Sequence, residues 1–76
     1  MTPKRIKMMV LVFKTNVDSP LKVKRIAPKL NRLFPKVKWN FDLEDCDRIL
    51  RLESDNHIIK EIVLLMKVLG FKCEAL

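Results

Sequence analysis

The sequence predicts an α+β fold of order βαββαβ, in which four strands form one antiparallel sheet and two helices cover one of its faces. Three observations predict it. Residues 8–13 form an uninterrupted apolar run bounded by charge. Two later stretches, opening near Pro20 and near Ile58, repeat apolar residues at helical spacing. Residues 37–43 alternate apolar and polar without a break. The 76 residues leave room for one domain, 1–76, and a chain this short buries only about 60% of the surface its unfolded form exposes.

The run at 8–13 is too short for an independent helix and fits a central strand contacted on both faces. With Met9, Leu11 and Phe13 inward, Met8, Val10 and Val12 face the other way. Asp18 or Ser19 then offers an oxygen to a free N–H of a first helical turn, and Pro20 suits the first helical position because its missing donor is idle there. From this start Val23, Ile26, Ala27, Leu30, Leu33 and Phe34 share one face. Pro28 removes one backbone bond, so a kink or a restarted helix is expected, and Pro35 ends the helix.

Val37, Trp39, Phe41 and Leu43 alternate with Lys38, Asn40 and Asp42, the period of a half-buried strand. Residues 44–47 make a polar turn, and residues 48–53 return with Leu50 and Leu52 inward, completing a hairpin. Ser54, Asp55 or Asn56 is expected to cap a second helix with Ile58, Ile59, Ile62, Val63, Leu65, Met66 and Leu69 along its apolar stripe and His57 in its first turn. Gly70 supplies the left-handed residue that closes such a helix. Phe71, Cys73 and Ala75 alternate inward in a last short strand. The compact solution for this order is the ferredoxin-like arrangement.

Charge is unevenly distributed. Residues 1–38 carry eleven Lys/Arg against Asp18 alone, a balance of +10, whereas residues 39–76 carry five basic and eight acidic groups, −3, which together give the chain its +7. Such polarity attracts an acidic partner, whether protein, nucleic acid or membrane surface. No stretch approaches the roughly 20 apolar residues of a membrane span, and the run at 8–13 is too short for a signal peptide and is followed directly by Lys14. Cys46 and Cys73 stand twenty-seven apart without metal-type spacing, too few for a disulfide framework. A reducing, cytoplasmic setting is expected, with no contact to a membrane.

The stretch Val17-Asp18-Ser19-Pro20-Leu21-Lys22, between a strand and a helix and followed by Ile26, resembles the metal-binding loop of the heavy-metal-associated domain of copper chaperones and metal-pumping ATPases. That loop reads Met-x-Cys-x-x-Cys with an aliphatic residue four positions later. Val17 stands at the Met, and Ser19 and Lys22 stand at the two Cys. The strand at 37–43 and the closing residues 69–76 look like that family's, and the element order is the same. The family commonly passes from its first helix to strand 2 through a Gly; here Phe34-Pro35-Lys36 intervene with an extra residue. The resemblance implies the ferredoxin-like fold. It implies no copper site, because a hydroxyl and an ammonium replace two soft thiolates, and no cofactor is expected.

Helix 1 carries Lys22, Arg25, Lys29 and Arg32, with Lys36 just beyond its end, at alternating three and four spacing. One reading is a solvated face. The other is docking of an acidic surface, and the resemblance points to the latter, since the family's chaperones meet acidic partners through basic residues of this helix region. Non-specific nucleic-acid binding through the same stripe is the alternative. The predicted topology gathers Asp18, Glu44, Asp45, Cys46 and Asp47 at one end, either a solvated acidic turn or a weak divalent site. Cys73 reads as a small buried hydrophobe, Cys46 as an exposed thiol made a poor nucleophile by its acidic neighbours, and His57 as an exposed polar residue with no catalytic set. No acid, base and nucleophile converge, so a non-enzymatic protein is expected. Met8, Val10, Val12 and Ile49 are expected on the open sheet face, where a homodimer or a larger partner would bury them. Base stacking by RNA is disfavoured there because Phe13, Trp39, Phe41 and Phe71 fall on the helix side.

Overall fold

The computed structural model describes residues 9–54 and 57–76. It shows the α+β, ferredoxin-like arrangement: β1 (Met9–Thr15), α1 (Pro20–Leu33), β2 (Lys38–Asp42), β3 (Ile49–Ser54), α2 (Ile59–Val68) and β4 (Cys73–Ala75), with sheet order β2-β3-β1-β4 and every pairing antiparallel. Met8 lies outside the described residues.

β1 alternates as its odd positions dictate: Leu11 and Phe13 are buried, whereas Val10 is 56% exposed. Register follows from this burial, since a slip of one residue would put Val10 into the core and Phe13 into water. Phe13 stands opposite Leu50, and Leu11 opposite Leu52, so the centre of the sheet is an apolar block. Ile26 and Leu30 from α1, and Ile62 and Met66 from α2, are fully buried and complete the core beside it.

Ser19 caps α1, its hydroxyl accepting the Lys22 N–H at 3.4 Å with Pro20 next to it. Of the two outcomes expected at Pro28, the restart does not occur: α1 is one helix from Pro20 to Leu33 with the proline inside it. Ile26 and Leu30, fully buried on either side of the proline, hold both turns against the core. Pro28 itself is exposed, where water can reach the carbonyl left without a donor. Leu33 departs from the expected apolar face and is 56% exposed; as the last helical residue it yields the core contact to Phe34.

In β2, Trp39 and Phe41 are half-buried and meet edge to face at 5.9 Å. The Trp39 indole N–H donates to Asn31 Oδ1 at 3.0 Å, tying β2 to α1. Two expectations for α2 need correction. Ser54 belongs to β3, and the helix starts at Ile59 behind Ile58, with no side-chain cap; His57 precedes the helix. Asp55 and Asn56, the other expected caps, lie outside the described residues. Ile59 is also more exposed than its place on the stripe implies.

The other end of α2 closes as Gly70 predicts. Gly70 has φ 91° and donates to Lys67 O at 3.0 Å, while Phe71 N–H reaches Met66 O at 2.8 Å. Those two bonds satisfy carbonyls that a helix end leaves open. Phe71 is buried and Cys73 half-buried, but Ala75 is exposed, because β4 is only three residues long and its end lies at the border of the sheet. Among the described residues no helix is long and apolar enough to cross a membrane.

Candidate functional site

The β1–α1 loop, the β2–β3 turn and the segment after α2 meet at one end of the sheet, and Thr15 joins two of them. Its N–H donates to Asp47 O at 3.1 Å, its hydroxyl donates to Arg48 O at 2.6 Å, and the same oxygen accepts the Val17 N–H at 3.1 Å. Arg48 adopts φ 48°, and its guanidinium donates to Leu43 O and Asp45 O, fastening the turn from within. Asn16 exchanges two bonds with the backbone of Lys72, N–H to carbonyl at 3.3 Å and side-chain oxygen from N–H at 2.9 Å.

Ser19 and Lys22, at the start of α1, both have partners within the chain. Ser19 caps the helix, and Lys22 Nζ contacts Asp18 Oδ1 at 2.6 Å. The Lys22 hydrogen bond and charge lower the Asp18 pKa below its usual value. The ligand atoms of Asp45, Cys46 and Asp47 lie within 4.8 Å of one another. Asp18 and Glu44, expected in the same neighbourhood, are not in that group: Asp18 turns to Lys22. Asp45 accepts the Asp47 N–H at 2.8 Å, and Asp47 faces the Lys14 ammonium at 3.7 Å. Asp45 therefore already has a donor within the turn, and Asp47 has a cation from β1 beside it. Cys46 is exposed; Cys73 is half-buried, and that burial pushes its thiol up to about 11.

The basic stripe lies along the solvent side of α1. Lys22 is held by Asp18, and the Arg25 guanidinium sits 5.8 Å from the Phe71 ring centroid, a cation–π contact of about 0.5–1 kcal/mol at such an exposed site. Lys29, Arg32 and Lys36 are exposed and make no ion pair to any described residue. The stripe thus divides into an anchored half near the helix start and an unneutralised half toward its end.

The open sheet face is more mixed than its sequence suggests. The register aligns Lys38, Glu53 and Val10 in one row, Asn40, Arg51 and Val12 in the next, and Asp42, Ile49 and Lys14 in a third. Ile49, expected to be open there, is 7% exposed. Its cross-strand neighbours are Lys14 and Asp42, and the aliphatic stem of a lysine covers an adjacent apolar side chain while its charge stays in water. Among the described residues the apolar part of this face comprises exposed Val10, half-buried Val12 and Leu76, whose N–H donates to Val12 O at 2.9 Å. Phe13 and Phe71 are buried, and Trp39 and Phe41 pack against the core, so none of the four forms a stacking platform on this side.

Sequence reasoning missed two features. Leu21, on the polar side of α1, is 74% exposed among the cations; its spacing against Arg25 and Arg32 was the available signal. The role of Thr15 had none, because the carbonyl its hydroxyl donates to, on Arg48, is thirty-three residues away. No family model, curated protein or solved structure matches this chain.

Proposed function

We propose that this chain is a non-enzymatic interaction module, a heavy-metal-associated-like domain without the copper-binding thiolates, which docks an acidic protein surface through α1. One observation carries the reading: Lys29 and Arg32 on α1, and Lys36 just beyond its end, are exposed with no carboxylate among the described residues to neutralise them. Exposed charge on a rigid element steers an oppositely charged partner and fixes its register. The Ser19 cap and the Lys22–Asp18 pair support the loss of metal chemistry, since both side chains serve the helix start. Two of the surface depressions are lined by Lys38, Trp39, Asn40, Arg51 and Glu53, and by His57, Ile59, Lys60 and Glu61. Neither set places a nucleophile beside a base.

Amide shift mapping with a glutamate-rich peptide tests the docking. Shifts centred on Lys29, Arg32 and Lys36 are expected, and shifts confined to the open sheet face would contradict it. Stoichiometric tight binding of Cu(I) under a competing chelator would contradict the metal-free part. The same unneutralised cations favour a second reading, non-specific nucleic-acid binding. With about four phosphate contacts it requires a log–log salt slope near −3.6 on duplex DNA.

A further inference from the structure

The cations of α1 are not surrounded by polar side chains alone. At 100° per residue, Lys22, Arg25, Lys29 and Arg32 occupy an arc of about 80° on the helix. Leu21 lies about 20° beyond one border of that arc and Leu33 about 20° beyond the other, at opposite ends of the helix. Both leucines are exposed, at 74% and 56%. Each leaves apolar area in water that a partner would bury at roughly 25 cal/mol per Å². The twelve-residue interval puts them about 18 Å apart along the axis.

We infer that α1 is the seat of an acidic helical segment of a partner protein, with carboxylates facing the cation band and an apolar side chain near each end meeting Leu21 and Leu33. This rests on the docking proposed above and specifies its partner. Charge complementarity chooses an acidic occupant. The three, four, three spacing of the cations chooses a helix, whose carboxylates at the same spacing rise in step with them. An anionic membrane fits less well, because α1 turns its broad apolar stripe, with Ile26 and Leu30, into the core and offers a bilayer two separated leucines. Nucleic acid fits less well because neither leucine has a role against phosphate.

The test uses two fluorescein-labelled helical peptides of about 18 residues, with Glu at three and four spacing. One has two leucines eleven residues apart, on one helical face, and the other has Ser at both places. Anisotropy is followed for the wild-type protein and for Leu21→Ser/Leu33→Ser, whose changes are at exposed positions; circular dichroism checks that it is folded, and Leu21→Ser alone serves if it is not. The leucine peptide is expected to bind wild type at least about tenfold tighter, and the serine variant to lose that factor while holding the serine peptide as wild type does. Equal affinity for both peptides overturns this inference and leaves charge-driven docking standing. Failure of both peptides at low salt, with duplex DNA or phosphatidylserine vesicles bound instead, overturns both.

Discussion

Thr15→Val replaces a hydroxyl by a methyl of nearly the same shape, so its cost isolates the polar work of one side chain. Thr15 is 7% exposed and Val17 is fully buried. Without the hydroxyl, the Arg48 carbonyl loses a 2.6 Å bond and the Val17 N–H loses its 3.1 Å acceptor in a place shielded from water. Leaving a buried donor unpaired costs about 1–3 kcal/mol. A destabilisation of about 2 kcal/mol is therefore expected, a large part of the roughly 5 kcal/mol total to be anticipated of so small a domain. Thr15→Ser is the control: it keeps both bonds and gives up one methyl, worth about 0.8 kcal/mol. Urea unfolding followed by Trp39 fluorescence gives both values. The ranking wild type, then Ser, then Val is expected. A valine variant as stable as wild type, or more stable than the serine variant, would refute the claim that Thr15 fastens the β1–α1 loop to the β2–β3 turn.

Pro28→Ala should stabilise the protein by about 1–3 kcal/mol, since it restores a donor to an exposed helix interior whose backbone is already helical; a lower urea midpoint would contradict this. Iodoacetamide at pH 8 should modify exposed Cys46 well before Cys73, and mass spectrometry of the digested product reads the order. The raised thiol pKa of Cys73 means that the folded state favours its neutral form, so this contribution is whole below about pH 9 and fades as pH rises through about 11; Cys73→Ser should flatten the loss of stability in that window. Val10→Lys should fold within about 0.5 kcal/mol of wild type, as a substitution at an exposed position does. In sedimentation, a wild-type dimer that this variant dissociates would place self-association on the open sheet face, whereas an unfolded variant would contradict the register of β1.

The fold was legible because period and punctuation agree at most positions: Leu11 and Phe13 face inward as alternation requires, Ser19 and Pro20 open α1, and Gly70 closes α2. Departures cluster where an element ends or where a long side chain covers a short one. Leu33 and Ala75 follow the periodicity of their elements but sit at ends, beyond the reach of the core. Ile49 is buried between Lys14 and Asp42, a placement that depends on how β1 and β2 pair with β3 and not on the local run. Pro28 broke a local rule that tertiary packing of Ile26 and Leu30 overrode. Of the candidate site, the cations were readable as a stripe, but their division was not: Asp18 is close in sequence to Lys22, whereas Phe71 reaches Arg25 only through the fold.

The docking of an acidic partner by α1 is tested most directly by reversing its unneutralised charges. Lys29→Glu/Arg32→Glu changes two exposed side chains and leaves the packed face of the helix intact. Binding of the glutamate-rich peptide, followed by anisotropy at about 20 mM salt where surface charges are weakly screened, should weaken at least tenfold. The pair Lys60→Glu/Lys67→Glu on α2, with the same change in net charge, should lose much less. Equal losses from the two pairs would show that net charge alone attracts the peptide, and would contradict a docking surface on α1.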